Sequence, residues 1–286
     1  MKALVTGAKG QLGTALQATA PEGWQVVGVD LAEMDLADPQ AIRDVVTREA
    51  PDVLFSAGAY TAVDKAESEP DIAQAVNGDA VGHMAQALAA ITGGRLVQVS
   101  TDFIFDGTRS TPYPVDAEPN PLSVYGATKL SGEAQAGDGA IICRTSWVYA
   151  AGGANFVRTM LRLMAERDAL SVVSDQIGAP TLATGLAQTL WSLSAVGKPG
   201  TFHYQDAGVA SWYDFAVAIQ EEALALGMLE RAIPITPIRT ADYPTPATRP
   251  AYSVLDTRDT RALTGLPAIH WRTNLRTMLK EEQQLG

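Results

Sequence analysis

The sequence has few of the residues that form disulfides and metal clusters. It contains one cysteine, Cys143, so no disulfide can form within the chain, and its three histidines, His83, His203 and His270, lie far apart. A lone cysteine, together with an N-terminus that lacks a basic-then-apolar signal segment, indicates a reducing cytoplasm. We therefore expect a cytoplasmic protein without a metal site.

Long hydrophobic runs and basic clusters are also missing. No apolar run approaches the ~20 residues of a membrane-spanning helix. Lysine and arginine together number 21 against 32 aspartates and glutamates, which gives a formal net charge of −11. This balance argues against nucleic acid or a membrane as a partner. A hydrophobic content of 47% is enough for a large core.

Short apolar runs alternate with helical patterns through the first half of the chain. The runs cover residues 2–6, 25–29, 52–56, 95–99 and 140–144, and a long helical pattern covers residues 70–91. Such alternation predicts an α/β fold, with a Rossmann-like doubly wound parallel sheet whose strands end at one edge. We assign residues 1–148 to a dinucleotide-binding domain.

A glycine-rich turn follows the first run and comprises Gly7, Ala8, Lys9, Gly10, Gln11, Leu12 and Gly13. Glycines between a strand and a helix let the backbone approach a pyrophosphate, which the helix N-terminus attracts. Asp30 ends the second run, where a carboxylate can accept hydrogen bonds from an adenosine ribose; a plain turn residue is the alternative. Lys9 could offset that acid, so the predicted cofactor is NADPH or NADH. Asp35 and Leu36 are expected beside the adenine.

Small and polar residues follow the next two strands. Those after the third run are Ala57, Gly58, Ala59 and Tyr60, and those after the fourth are Ser100, Thr101 and Asp102. Doubly wound sheets bind ligands at the carboxyl ends of their strands, so we expect both groups near the cofactor.

Tyr125 and Lys129 stand four residues apart at the start of a predicted helix, and therefore on one face of it. A cation near a phenol lowers its pKa by roughly 1–3 units, which makes the tyrosine a competent general acid or base. Taken alone, the pair is also typical of a solvated helix face. The glycine turn and the Thr101 hydroxyl at a shared sheet edge favour a hydride-transfer site.

These residues resemble the motifs of the extended short-chain dehydrogenase/reductases, and most closely those of the dTDP-4-dehydrorhamnose reductase family. Matching stretches cover residues 59–67, 125–133, 144–149, 155–157, 175–181 and 249–253, so the resemblance spans nearly the whole chain. It implies reduction by NADPH or NADH of a nucleotide-sugar substrate, a dTDP-4-keto-6-deoxyhexose. The 4-keto group of dTDP-4-dehydro-6-deoxy-L-mannose would become a hydroxyl, giving dTDP-L-rhamnose, the last step of dTDP-rhamnose biosynthesis.

The resemblance also implies a role for each site residue. Tyr125 would give a proton to the ketone oxygen, and Lys129 would bind the nicotinamide ribose and lower the pKa of Tyr125. Thr101 would hydrogen-bond the carbonyl oxygen. Asp102 and Trp147 would border the sugar.

Two positions depart from the family pattern. Phe103, expected in the substrate pocket, stands where a tyrosine is usual, which puts the role of that hydroxyl in doubt. It also counts against a 4,6-dehydratase, which needs a Thr-Asp-Glu run there; an epimerase and a non-catalytic regulatory subunit are further alternatives. Ala15 replaces a glutamate that some members use to bind magnesium at a dimer interface. We expect neither that metal nor that dimer, and another kind of homodimer stays open.

Residues 149–286 are assigned mostly to a smaller mixed α/β substrate lobe, with segments that could return to the first domain. Arg249 is the expected ligand of the substrate diphosphate because a guanidinium binds phosphate in bidentate fashion; a loop salt bridge is the alternative. Asn155 and Gln176 could add neutral donors. Trp212 is assigned to packing, and the proline-rich residues 234–250 are predicted to form a rigid loop.

Overall fold

A computed structural model describes residues 1–91 and 93–285. Gly286, the last residue assigned to the substrate lobe, lies outside the described residues. The strands are β1 (Lys2–Thr6), β2 (Gln25–Val29), β3 (Val53–Ser56), β4 (Arg95–Thr101), β5 (Ile141–Thr145), β6 (Val148–Tyr149), β7 (Leu170–Val173), β8 (Ile177–Gly178), β9 (Thr181–Leu182), β10 (Gly200–His203), β11 (Ala210–Ser211) and β12 (Ile235–Ile238).

The α-helices are α1 (Gln11–Ala18), α2 (Pro39–Glu49), α3 (Val63–Ala66), α4 (Pro70–Gln74), α5 (Ala80–Ile91), α6 (Val124–Gln135), α7 (Phe156–Glu166), α8 (Ala183–Val196), α9 (Trp212–Ala225), α10 (Arg258–Thr264) and α11 (Trp271–Leu285). Short 3-10 turns cover Asp102–Ile104 and Thr240–Asp242. No helix within residues 1–91 or 93–285 is long and apolar enough to cross a membrane.

Six parallel strands form the central sheet in the order β10-β5-β4-β3-β1-β2. The inner strands β1 and β3 are continuous apolar runs because helices cover both faces of the sheet. The Rossmann-like doubly wound sheet expected from the sequence is thus confirmed. From β1 the chain moves outward to β2 on one side and then to β3 on the other. Such a reversal opens a crevice at the carboxyl ends of the strands.

Several elements that follow residue 148 pack around the central sheet, in what we call the first lobe. β10 pairs with β5 in parallel register, and α8 buries Leu186 and Leu190 against the α1 side chains Leu12 and Leu16. On the opposite face, Ile42 of α2 packs in one cluster with α5. The first lobe is therefore built from both halves of the chain.

The second lobe packs α7, α9 and α11 around an apolar cluster that includes Phe215 and Leu275. One prediction for this region is wrong, since residues 234–250 include the strand β12, which pairs in parallel with β7. Pro237 lies inside β12. A two-stranded sheet has only edge strands, so the missing proline N–H can face away from the ladder.

The helical pattern predicted for residues 70–91 is interrupted by a π-helical turn, Ala75–Asp79, between α4 and α5. This turn lies tightly against α6, because a Cβ on Gly132 would come within 2.3 Å of the Asn77 carbonyl oxygen. The Asn77 amide bonds to the Tyr60 backbone and to the Thr128 hydroxyl. It thereby ties the loop after β3 to α6, the helix that carries Tyr125.

Candidate active site

A cavity of about 850 Å³ lies at the carboxyl ends of the central strands, between the two lobes. Its walls include all three predicted catalytic residues, Thr101, Tyr125 and Lys129. They also include every predicted cofactor residue except Tyr60, and four of the predicted substrate residues other than Thr101. These four are Asp102, Phe103, Trp147 and Arg249.

The glycine turn is shaped by backbone contacts that exclude side chains. Gly7 has a φ of 62°, and a Cβ there would come within 2.7 Å of the Gly58 Cα. A Cβ on Gly13 would lie 2.1 Å from the Gly7 carbonyl oxygen. Gly10 precedes α1 and makes no side-chain cap, so the first N–H groups of α1 can face a ligand. The turn therefore fits a dinucleotide pyrophosphate.

Asp30 has the turn role that was the alternative considered for it from the sequence. Its carboxylate accepts hydrogen bonds from the backbone N–H groups of Lys9 and Leu31, each at 2.9 Å. These bonds, Lys9 first, hold the pKa of Asp30 below its usual value. The carboxylate thus fastens the glycine turn to the end of β2, and it also lines the cavity beside Lys9, Asp35 and Leu36.

Tyr60 does not line the cavity, although it was expected to bind the cofactor. Its phenol donates a 2.6 Å hydrogen bond to Glu69, while its neighbours Ala59 and Thr61 form the wall. The Tyr60 phenol thus contacts Glu69, just before α4, and not the cavity. Tyr60 therefore supports the loop after β3 from behind.

Thr101, Tyr125 and Lys129 meet where β4 ends and α6 begins. Ser123 caps α6 by accepting a hydrogen bond from the Gly126 N–H at 3.2 Å, which sets the helix start beside Tyr125. The Thr101 hydroxyl donates to Asp102 at 3.1 Å. Lys129 is buried, and its ammonium donates to the Val99 carbonyl oxygen at 2.6 Å.

Desolvation dominates the acidity of these groups. It raises the pKa of Tyr125 to about 12, and the nearby Asp102 carboxylate acts in the same direction. Burial lowers the pKa of Lys129 to about 8, and the nearby Glu133 carboxylate acts in the opposite direction. The expected lowering of the Tyr125 pKa by Lys129 is therefore not what the protein shows. The phenol keeps its proton, which is the form a general acid needs.

Asp102 and Phe103 form the side of the site next to Tyr125. Asp102 is almost fully buried, and burial raises its pKa to about 6 against the hydrogen bond that it accepts from Thr101. The Phe103 ring packs edge-on against the Tyr125 ring, with centroids 5.6 Å apart. An apolar ring here restricts water beside the phenol and carries no group that could transfer a proton.

Two tryptophans line the cavity, and only one of them was predicted from the sequence. Trp147 was expected beside the sugar, whereas Trp212 was assigned to packing. Trp212 lines the cavity and stacks on Trp147. The signal near Trp212 was a helix cap, because Ser211 and Asp214 form a capping box at the start of α9. That pattern marks where the helix begins and not what its first residue faces.

Arg249 lines the cavity and also makes the loop salt bridge considered as its alternative. Its guanidinium donates to both oxygens of Asp64, at 3.0 and 2.8 Å, and to Thr245 at 2.6 Å. These bonds join the second lobe to α3 of the first. They hold a cation at the cavity rim.

Asn155 and Gln176 lie outside the cavity lining, contrary to expectation. The Asn155 amide nitrogen donates to Gln11 and to two backbone carbonyls, and its oxygen caps α7 by accepting from Arg158. Gln176 is buried and donates to Thr240. Both amides are used inside the second lobe and at its contact with α1. Across the described part of the chain, no three His, Cys, Asp or Glu side chains are grouped to hold a metal ion.

The family model of the RmlD substrate binding domain matches residues 1–284. The chain belongs to this family. The dTDP-4-dehydrorhamnose reductase of Burkholderia thailandensis is 43% identical over 287 residues, covering 95% of this chain and 96% of that protein. The family resemblance inferred from the motifs is confirmed.

Solved structures of the family share the whole fold. A dTDP-4-dehydrorhamnose reductase from Clostridium acetobutylicum superposes with a TM-score of 0.92 at 36% identity, covering 99% of this chain and 100% of that chain. The Bacillus anthracis enzyme, in complex with NADP, gives a TM-score of 0.91 at 33% identity, with coverage of 98% and 99%.

Proposed function

We propose that this chain is an NAD(P)H-dependent oxidoreductase that reduces the 4-keto group of dTDP-4-dehydro-6-deoxy-L-mannose to give dTDP-L-rhamnose. One observation carries the proposal: Thr101, Tyr125 and Lys129 share a cavity with the glycine turn, in a chain that belongs to the RmlD family. NADPH or NADH bound there supplies the hydride. The protein residues hold the ketone and supply the proton.

Tyr125 is the proton donor to the ketone oxygen. Its phenol stays protonated across the physiological range because desolvation raises its pKa to about 12. Developing negative charge on the substrate oxygen draws the proton across, and the Thr101 hydroxyl adds a hydrogen bond to that oxygen. Phe103 leaves no second proton-transfer group at its position, which suits ketone reduction and not elimination.

Lys129 and the glycine turn hold the cofactor. The ammonium group lies one helical turn beyond Tyr125, where it can donate to the nicotinamide ribose hydroxyls. The backbone of the turn binds the pyrophosphate, and Asp30 and Lys9 bind the adenosine ribose. Their opposite charges accommodate a ribose with or without a 2′-phosphate, so both cofactors are tested.

The second lobe holds the nucleotide sugar. Trp147 and Trp212 provide an apolar wall for the sugar ring, and Asp102 borders it. Arg249 supplies a cation for the diphosphate, on a chain whose net charge of −11 would otherwise repel it.

The deciding experiment is the oxidation of NADPH and of NADH by the purified protein in the presence of dTDP-4-dehydro-6-deoxy-L-mannose. The UDP and GDP analogues are assayed in parallel, and NMR identifies the product sugar. We expect cofactor consumption with formation of dTDP-L-rhamnose. Protein that retains tightly bound NAD and consumes neither cofactor would contradict the proposal and favour an epimerase.

A further inference from the structure

We propose that Glu133 is a positioning residue for Lys129: it keeps the ammonium group charged and docks the catalytic face of α6 against β4. The inference rests on the proposed function, because it concerns the group that holds the nicotinamide ribose. Glu133 is absent from the cavity lining and acts through Lys129.

The three side chains form one column along α6. Tyr125, Lys129 and Glu133 are spaced four residues apart, so they lie on the same helix face. Glu133 and Lys129 both contact the end of β4. Lys129 donates to the Val99 carbonyl oxygen at 2.6 Å, and the Ser100 hydroxyl donates to Glu133 at 2.5 Å. Val99 and Ser100, which are consecutive in β4, thus bind Lys129 and Glu133, respectively.

Glu133 is held on its other side by a buried guanidinium. Arg144 of β5 donates to both Glu133 oxygens, at 2.7 Å from Nη2 and 3.0 Å from Nε. The two residues are 9% and 5% exposed. A buried ion pair adds little stability relative to an apolar pair of the same size. The charge of Glu133 therefore calls for a role other than stability, and Lys129 is the charged group one helical turn away.

The same guanidinium ties down the loop that leads from β4 to α6. Arg144 donates to the Val115 carbonyl oxygen at 3.0 Å and contacts His203 Nε2 at 3.3 Å. His203 Nδ1 in turn lies 3.0 Å from the Tyr113 carbonyl oxygen. The Arg144 side chain is fixed by α6, by the loop between β4 and α6, and by β10, so Glu133 is held at a set position relative to Lys129.

Several elements that contact α6 carry charged or titratable residues. Besides Tyr125 and Glu133 of α6 itself, these are Arg95 of β4, Asp102 after β4, Asp79 of the π-helical turn, Asp71 of α4, His83 of α5, and Asp64 and Lys65 of α3; Arg144 of β5 and His203 of β10 lie beyond Glu133. Burial lowers the pKa of Lys129, and Glu133 is the neighbour that raises it. Without that carboxylate, the pKa falls further and less of the ammonium form remains at neutral pH.

Two measurements test this inference, and neither requires turnover. NMR of ¹³C-labelled lysine side chains, with Lys129 assigned through Lys129→Arg, gives its titration midpoint in the cofactor-free protein. NADPH fluorescence then gives cofactor affinity against pH. We expect Glu133→Gln to lower the midpoint by roughly one pH unit and to shift the alkaline loss of NADPH affinity by the same amount. Glu133→Asp should restore most of both.

Glu166→Gln is the matched control, since Glu166 also pairs with an arginine, Arg162, but is 55% exposed on α7. Glu166→Gln should change neither the titration midpoint of Lys129 nor the pH at which NADPH affinity is lost. Glu133→Gln leaves Arg144 unpaired and could fail to fold for that reason. In that case the double variant Glu133→Gln with Arg144→Gln is measured instead. Its Lys129 titration midpoint should still be lower than in the wild type, but by a smaller amount.

An unchanged Lys129 midpoint in a folded variant, with only a lower melting temperature, would overturn the inference and leave Glu133 a structural residue. Wild-type protein that binds no NADPH would instead overturn the proposed function. In that case the NMR midpoints alone still decide the effect of Glu133 on Lys129.

Discussion

The indole rings of Trp147 and Trp212 stack with their centroids 3.6 Å apart and their planes 11° from parallel. Trp147 has a φ of 46°, in the left-handed region, which costs a non-glycine residue about 1–3 kcal/mol. Gly178 allows this geometry, because a Cβ there would lie 2.9 Å from the Trp147 ring. Packing against Trp212 and Gly178 holds this strained backbone, and the stack forms a flat aromatic surface in the cavity wall.

Removing the stacked partner should weaken substrate binding selectively. We expect Trp212→Ala to raise the KM for the nucleotide sugar roughly tenfold, because the wall loses an aromatic pair and its apolar area. Trp212→Phe should recover most of the loss. NADPH affinity, measured by fluorescence, should stay within about twofold of wild type, since Trp212 lies on the substrate side. Equal losses of substrate and cofactor binding would contradict this assignment.

Loss of the phenol should stop the chemistry and spare the cofactor. Tyr125→Phe keeps the ring contact with Phe103 but removes the proton donor, so kcat should fall by about 10²–10⁴-fold. NADPH affinity should remain near normal. Tyr243→Phe is the control, because Tyr243 is 61% exposed and lies outside the cavity lining. A Tyr125→Phe enzyme with an undiminished rate would exclude the phenol as the acid.

Truncation of Lys129 should affect both binding and rate. Lys129→Ala removes a charged donor, which costs roughly 10–100-fold in NADPH affinity, and it should lower kcat as well. Lys280→Ala, at an exposed position on α11, should leave both unchanged. Unaltered cofactor affinity in Lys129→Ala would rule out the ribose contact.

Two variants distinguish the two possible roles of Arg249, which are binding of the substrate diphosphate and the salt bridge to Asp64. If the guanidinium binds the substrate diphosphate, Arg249→Met should raise the KM roughly tenfold or more, whereas Asp64→Asn only frees Arg249 and should change the KM much less. If the salt bridge matters only for joining the lobes, both variants should lower the melting temperature equally and leave similar KM values. Steady-state kinetics with thermal melts distinguishes these outcomes.

The ion pairs between α9 and α11 should make the free energy of unfolding depend on pH in the acid range. Glu222 accepts hydrogen bonds from Arg276 and Arg272, which lower its pKa to about 2. Its unfolded pKa is ~4.3, so this stability is fully present above that value and is lost as pH falls toward about 2. Glu222→Gln should cost roughly 1–2 kcal/mol at neutral pH, after screening of the exposed guanidiniums.

The difference between Glu222→Gln and wild type should shrink as the pH is lowered from 5 to ~2.5, in urea melts at each pH. Glu221→Gln is the control, because Glu221 is 53% exposed and pairs with Arg272 at the surface. A difference that stays constant across this range would mean that the charge of Glu222 contributes nothing.

Most strands of the central sheet could be predicted from the sequence because each depends on a local pattern of apolar residues. The five apolar runs became β1 to β5 within a residue or two at most ends, and the glycine turn lies where its spacing placed it. The π-helical turn at Ala75–Asp79 could not be read this way, since it depends on contact with Gly132, more than fifty residues later. The same is true of β12, whose proline content suggested a loop until β7 paired with it.

The residues of the candidate site also fall into two groups: those that local sequence patterns predict and those that depend on distant contacts. By itself the sequence determined the Tyr125 and Lys129 pair, the Thr101 hydroxyl at a strand end and the glycine turn, because each depends on spacing within one or two adjacent elements. Tertiary structure alone decided that Trp212 joins Trp147, that Asn155 turns inward, and that desolvation and not Lys129 governs the pKa of Tyr125. The physical reason is that burial and side-chain direction are set by residues far away in the chain. No local pattern encodes those neighbours.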